Sequence, residues 1–260
     1  GKQMYWDELT ADHFAEAVQE TKVCVIPMGV VEKHGSHLPL GTDMIIGRTI
    51  ADMAAKIEPF VIFPYYCFGQ INEARHVPGA IAISPKMQME LLQEVVDEVR
   101  RNGFKKIVLL ESHGGNINFL NYFLQAQLHE KRDYTVYKIG IFDIIEKCLE
   151  KYPSEENDGH AALTETELVM AYHPELVHMD EINSEGAVNS HRLDHMAGIS
   201  TPVSWYADHP THQDGAPDRA SQERGRGKYE VAAKYVAELI RKIKEDNKVQ
   251  IIMDEYYSRW

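Results

Sequence analysis

Clustered positive charge is what this chain most clearly lacks. It carries 27 Lys and Arg against 40 Asp and Glu, a formal charge of −13. Nucleic-acid binding needs grouped Lys and Arg to neutralise phosphates, so that class is excluded. Anionic membrane surfaces are excluded on the same ground. There is also no run of about 18 apolar residues, so no membrane-spanning helix is expected. The beginning shows no apolar leader segment. Cysteine is scarce: Cys24, Cys67 and Cys148 stand far apart, with no close pair. That spacing suits a reducing cytoplasm better than a disulfide framework. Repeats and low-complexity stretches are absent too. What remains is one 260-residue domain, with the hydrophobic content of 44% needed to fill a core.

Apolar runs and helical periodicities alternate along the chain. Buried strands are expected at 23–29, 60–64, 106–110 and 134–139. Helices are expected at 10–20, 44–56, from Ser84-Pro85 to near Gly103, through 119–128, at 141–151, at 161–171 and from 216 to about 246. Thr10 and Ser84 precede two of these as N-caps. Strand and helix in alternation give an α/β fold, a mostly parallel sheet with helices on both faces. Residues 178–216 show little periodicity, and a stretch of that length is functional or interfacial.

The chemistry concentrates after the first strand, in Glu32-Lys33-His34-Gly35-Ser36-His37-Leu38-Pro39-Leu40-Gly41-Thr42-Asp43. Three metal-type side chains, Glu32, His34 and Asp43, lie in one Gly- and Pro-containing loop. Open α/β sheets bind ligands at such strand ends. A second strand end carries Glu111-Ser112-His113-Gly114-Gly115-Asn116, and a later helix carries Glu165, preceded by His160. Each element alone has a plain structural reading. Asp43 could cap the next helix, His34 and His37 form a weak pair, and His160 and Glu165 could be a solvated pair. Taken jointly they suit Zn or Mn, not Ca or a thiolate site. With Asp43 bridging, one ion takes Glu32, Asp43 and His113, and the other takes His34, Asp43 and Glu165. A hydroxide shared by ions roughly 3.5–4 Å apart is the expected nucleophile. His160 is expected to act as general acid and base.

These blocks resemble the creatininase (creatinine amidohydrolase) family: Glu32-x-His34-Gly-x-His37-Leu-Pro-Leu-Gly-Thr-Asp43, Ser112-His113-Gly-Gly-Asn116 and His160-Ala-x-x-x-Glu165-Thr166. Pro78-Gly79, Thr201-Pro202-x-Ser204-Trp205 and Gly215-x-Pro217 extend the likeness over nearly the whole chain. The resemblance implies a three-layer α/β fold and a two-metal site on the five positions named. It also implies catalysis assisted by His160, a homo-oligomer such as a hexamer, and hydrolysis of a cyclic amide or formamide C–N bond in a small molecule. Two departures set the chain apart from creatininase itself. Gly114-Gly115 follow His113 where creatininase has Tyr-Glu, and residues 154–159 hold no aromatic ring over the substrate. Gly114 and Gly115 are therefore expected to border the substrate. Arg75 and His76 either read a polar or anionic substrate group or anchor their loop. Two rival functions share the ligands: ring opening of a lactone or cyclic sugar ketone, and a metal-holding subunit without turnover.

Overall fold

The computed structural model describes residues 4–154, 157–183 and 185–260. Glu155 and Glu156 of the expected 152–160 loop, and Ser184 of the 178–216 segment, lie outside the described residues.

Helix α1 (Ala11–Thr21) starts at Thr10, whose Oγ1 accepts the His13 amide at 3.2 Å. Strand β1 (Val23–Met28) follows, buried along its whole length. A buried parallel strand reads as a continuous apolar run because helices cover both its faces. Helix α2 (Thr42–Ile57), strand β2 (Val61–Ile62) and helix α3 (Pro85–Arg101) come next. Ser84 caps α3 through the Met87 amide. Strand β3 (Lys106–Glu111), helix α4 (Ile117–Ala126), strand β4 (Thr135–Ile139) and helix α5 (Ile141–Lys151) complete the alternation. Helices α6 (Leu163–Tyr172), α7 (Ser204–Asp208), α8 (Gln222–Glu245) and α9 (Val249–Tyr257) follow.

The sheet is wholly parallel, in the order β2-β1-β3-β4. Two buried clusters lie on its two sides, which makes the expected three layers. One joins Val23, Val25, Val108 and Leu110 to α2, α5, α6 and α8. The other joins Cys24, Ile26, Ile107 and Leu109 to α1, α3 and α4. Residues alternate between the two clusters because successive strand side chains point to opposite faces.

The order has a consequence for ligand binding. From β1 the chain moves to β2 on one side, and from β3 to β4 on the other. The loops leaving β1 and β3 therefore diverge, opening a crevice where connections reverse direction. The register pairs Met28 with Glu111, and the Ser112 amide and hydroxyl both donate to the Met28 carbonyl at 2.9 Å. The two loops thus start side by side.

Several boundaries differ from the sequence expectation. β2 keeps only two paired residues of the 60–64 run. The last long helix begins at Gln222, where Ser221 accepts the Arg224 amide, rather than at 216. Among the described residues of the 178–216 segment, two 3-10 turns, Met179–Glu181 and Asp194–Met196, and the short α7 interrupt otherwise irregular chain. Helix α9 was not expected from the sequence; its Ile251 and Ile252 are exposed and give no inward apolar stripe to read.

Candidate metal centre

Glu32 and His34 reach the crevice from the β1 loop. Gly35, with φ +64, turns the chain between them and His37; a Cβ there would lie 2.7 Å from His37 Nδ1. Asp43 occupies the first turn of α2, but Gly41 holds the cap position and Asp43 caps nothing. Its carboxylate instead faces two imidazoles from different loops. Oδ1 lies 3.0 Å from His34 Nε2 and Oδ2 lies 3.0 Å from His113 Nδ1. Glu165, from α6, places Oε2 3.2 Å from the same His34 nitrogen. Glu32 Oε2 lies 2.6 Å from His113 Nδ1. The structure brings these side chains together: Glu32, Asp43 and His113 form one ligand-type group and His34 and Glu165, with His160, form another, while Asp43 touches both His34 and His113.

Each imidazole is oriented from behind. His34 Nδ1–H donates to the Glu32 carbonyl at 3.2 Å, and His113 Nε2–H donates to the Gln70 carbonyl at 2.7 Å. A carbonyl can only accept, so these bonds fix the tautomer. In the neutral rings the remaining lone pairs point at the carboxylates. Lone pairs then face lone pairs. Glu32 Oε2 and Asp43 Oδ2 are buried and accept no hydrogen bond. Glu165 is held by the Ala161 amide, which donates to Oε1 at 2.8 Å and leaves Oε2 for the centre. Ala161 adopts φ +59, a left-handed conformation costly for a residue with a Cβ and characteristic of functional sites.

The field calls for positive charge. Burial disfavours a charged His34, but Asp43 and Glu165 outweigh it and hold the ring well above the usual histidine range. Glu32 and Asp43 do the same to His113. Burial would raise the Asp43 carboxyl, yet His34 and His113 hold it well below its usual range. A group of carboxylates and fixed imidazoles with orphaned oxygens is a donor set for divalent cations, and a proton on each ring is a partial substitute.

His160 lies beside this group. Its ring centroid is 4.4 Å from that of His34. Nε2–H donates to the Lys33 carbonyl at 2.8 Å, which leaves Nδ1 as the basic nitrogen. Burial, then the neighbouring charge on His34, lowers this ring to about 4.

A cavity of about 670 Å³ opens over the cluster. Gly114 and Gly115 line it, as do Gln70, Glu73, Asn118, Phe142, Thr201, Ser204 and Trp205; none of its described lining residues is Lys or Arg. Arg75 and His76 do not line it. Both are exposed, and His76 Nε2–H donates to the Pro210 carbonyl at 2.7 Å while its ring packs edge-on against Tyr206. For His76, of the two roles expected, the geometry gives loop anchoring. His37 is buried against Thr166 Oγ1 at 2.8 Å and belongs to the loop's packing. No aromatic residue occurs in 154–159; the aromatic rings lining the cavity are those of Phe142 and Trp205. Sequence reading missed His212, whose Nε2 lies 2.7 Å from Glu32 Oε1. Its 180-residue separation from Glu32 and its irregular surroundings left no local signal.

The creatininase family model, described as creatinine amidohydrolase, matches residues 7–240. Creatinine amidohydrolase of Pseudomonas putida is 22% identical over 92% of this chain and 97% of its own length. The 3-dehydro-scyllo-inosose hydrolase of Thermotoga maritima is 22% identical over 93% and 84%. Among solved structures, a putative creatinine amidohydrolase from Bacteroides fragilis aligns with TM-score 0.80 at 24% identity, over 95% of this chain and 98% of that one. A manganese form of creatininase aligns at 0.79 with 21% identity, and a Zn–Zn form at 0.77 with 22%, each over 93% and 98%. At these identities the structures establish a shared fold.

Proposed function

Because the chain belongs to the creatinine amidohydrolase family, we propose that it is a two-metal hydrolase of a C–N bond in a small, uncharged cyclic amide or formamide. The observation that carries this reading is Asp43, one carboxylate with each oxygen turned to a different fixed imidazole. Glu32 and His113 would complete one ion position, and His34 and Glu165 the other. Zinc and manganese suit this oxygen and nitrogen set, and relatives are solved with each. When bound, such a pair supplies Lewis acidity to a carbonyl and lowers the pKa of water toward about 7.

The chain's own residues would do the rest. Asp43 and the two imidazoles hold the reacting centre rigidly, since every ring is tied to a backbone carbonyl. Gly114 and Gly115 keep the approach open beside His113: a Cβ at Gly115 would lie 2.5 Å from His113 Nε2. Phe142, with Ile141 and Ile145 of α5, offers an apolar wall for a flat ring. Gln70, Asn118, Thr201 and Ser204 offer hydrogen-bonding groups. His160 Nδ1 would carry a proton to the departing nitrogen, from a ring that burial keeps basic only weakly. The absence of Lys and Arg from the described lining favours a substrate without negative charge.

A second reading is supported by the Thermotoga relative's name: the same centre opening a cyclic sugar ketone or lactone. The amide and hydroxyl side chains around the cavity fit a hydroxylated ring equally well. A panel of cyclic amides, formamides, lactones and inosose-type ketones separates the two by kcat/KM. Chelation should abolish turnover of the best substrate, and Zn(II) or Mn(II) should restore it. Full activity after verified metal removal would overturn the mechanism.

A further inference from the structure

We propose that His212 and Trp205 form a positioning pair that forces Glu32 to bind a cation through Oε2 alone; this rests on the two-metal reading above. The Trp205 indole N–H donates to His212 Nδ1 at 2.9 Å. An indole can only donate, so His212 Nδ1 is unprotonated and its proton resides on Nε2. That Nε2–H then donates to Glu32 Oε1 at 2.7 Å. His160 Nε2 also lies 3.1 Å from this oxygen, but its N–H donates to the Lys33 carbonyl, so His212 is the donor that holds Oε1. Glu32 Oε2 is the orphaned atom beside His113. The carboxylate is thereby divided: one oxygen is held by the protein and the other is offered to the centre. A carboxylate limited to one oxygen leaves a coordination position for water or substrate.

His212 is built into this place at a cost. It is 2% exposed and adopts φ +56, a conformation unfavourable for a residue with a Cβ. It also backs His160, with ring centroids 4.1 Å apart, and Trp205 stands edge-on to His160 at 6.3 Å. The pair comes from the 178–216 segment, whereas Glu32 comes from the β1 loop. The segment therefore completes the metal centre without contributing a ligand to it.

The test is Zn(II) affinity by competition with a chromophoric chelator, together with ¹⁵N NMR of the His212 tautomer in the zinc-free protein. Trp205→Phe keeps the aromatic packing and removes only the N–H donor. It should weaken the tighter-held zinc about tenfold and let the His212 tautomer become mixed. His212→Leu should weaken zinc by about 10–100-fold, the range for a lost outer partner of a ligand. His212→Gln, which keeps a donor, should recover part of that loss. A merely structural role would lower thermal stability in all three without this order of zinc affinities. Wild-type zinc affinity in Trp205→Phe and His212→Leu, both folded, would overturn the pair while leaving the two-metal reading intact. Failure of the wild-type chain to bind zinc would overturn both.

Discussion

Helix α6 carries two glutamates, two residues apart, that face two buried polar clusters of opposite character. Glu165 looks toward the metal centre. Glu167 looks toward α8, where Lys228 Nζ lies 2.7 Å from its Oε1 and 2.8 Å from Thr164 Oγ1. Glu167 Oε2 accepts the Ser221 amide at 2.9 Å and lies 3.3 Å from Arg224 Nε. Every charge in that second cluster has its countercharge in the chain, and no atom of Glu167 or Lys228 is left unpartnered. At the metal centre the side chains facing Glu32, Asp43 and Glu165 are imidazoles, the one other contact being the Ala161 amide on Glu165 Oε1, and two carboxylate oxygens accept nothing. Both clusters are buried, and both lie far apart in sequence. What separates a structural ionic cluster from a binding one is whether the protein supplies the positive charge itself.

That contrast can be broken from either side. The largest effect is expected at the bridge. Asp43→Asn should reduce bound zinc below two per chain and lower kcat/KM at least about a thousandfold, since each ion contributes several kcal/mol to the transition state; metal analysis beside kinetics checks it. His160→Ala should lower kcat by about 10²–10⁴ with zinc content unchanged, because it removes proton transfer and no proposed ligand. A parallel loss of zinc would move His160 into the ligand set. On the self-balanced side, Lys228→Met should leave zinc binding intact and destabilise the fold by about 3–5 kcal/mol, the cost of leaving a buried carboxylate without its partner. Denaturant unfolding measures it, and an unchanged midpoint would mean Arg224 alone suffices.

The smallest effect concerns His37, which is hydrogen-bonded to the α6 residue Thr166. Burial, then the charge on His34, lowers this ring to about 4. The unfolded chain, with a histidine near 6.5, takes up the proton first as pH falls. Stability from neutral His37 is therefore complete above about pH 6.5 and is lost progressively toward pH 4. Relative to wild type, His37→Gln should remove on the order of 1 kcal/mol per pH unit of that slope. Parallel stability curves for the two proteins would refute it.

Much of this was legible in residues that signal locally. The buried strands announced themselves as apolar runs, and the helices after Thr10 and Ser84 as caps followed by a periodic face. Glu32, His34, Asp43 and His113 were readable because they follow strand ends, where an α/β sheet has to place its ligands. Edges were less readable. β2 shrank because pairing, not apolarity, defines a strand, and α8 began six residues late because Ser221 caps it there. By sequence Arg75 and His76 could be substrate readers or loop anchors, and only the position of Pro210 revealed what His76 binds. His212 and Trp205 carried no periodic pattern, and the pairing of Glu167 with Lys228 spans 61 residues and has no local signature.

Short stretches of residues suffice for the layered architecture, the strands at whose ends chemistry collects and the ligand types available, because these follow from local periodicity and side-chain chemistry. Tertiary structure alone decided which oxygen of Glu32 and of Asp43 faces which ring, which acids are balanced from within, and which distant segment closes the centre. Those outcomes depend on strand register and on helix packing across more than a hundred residues. No local stretch of chain contains that information.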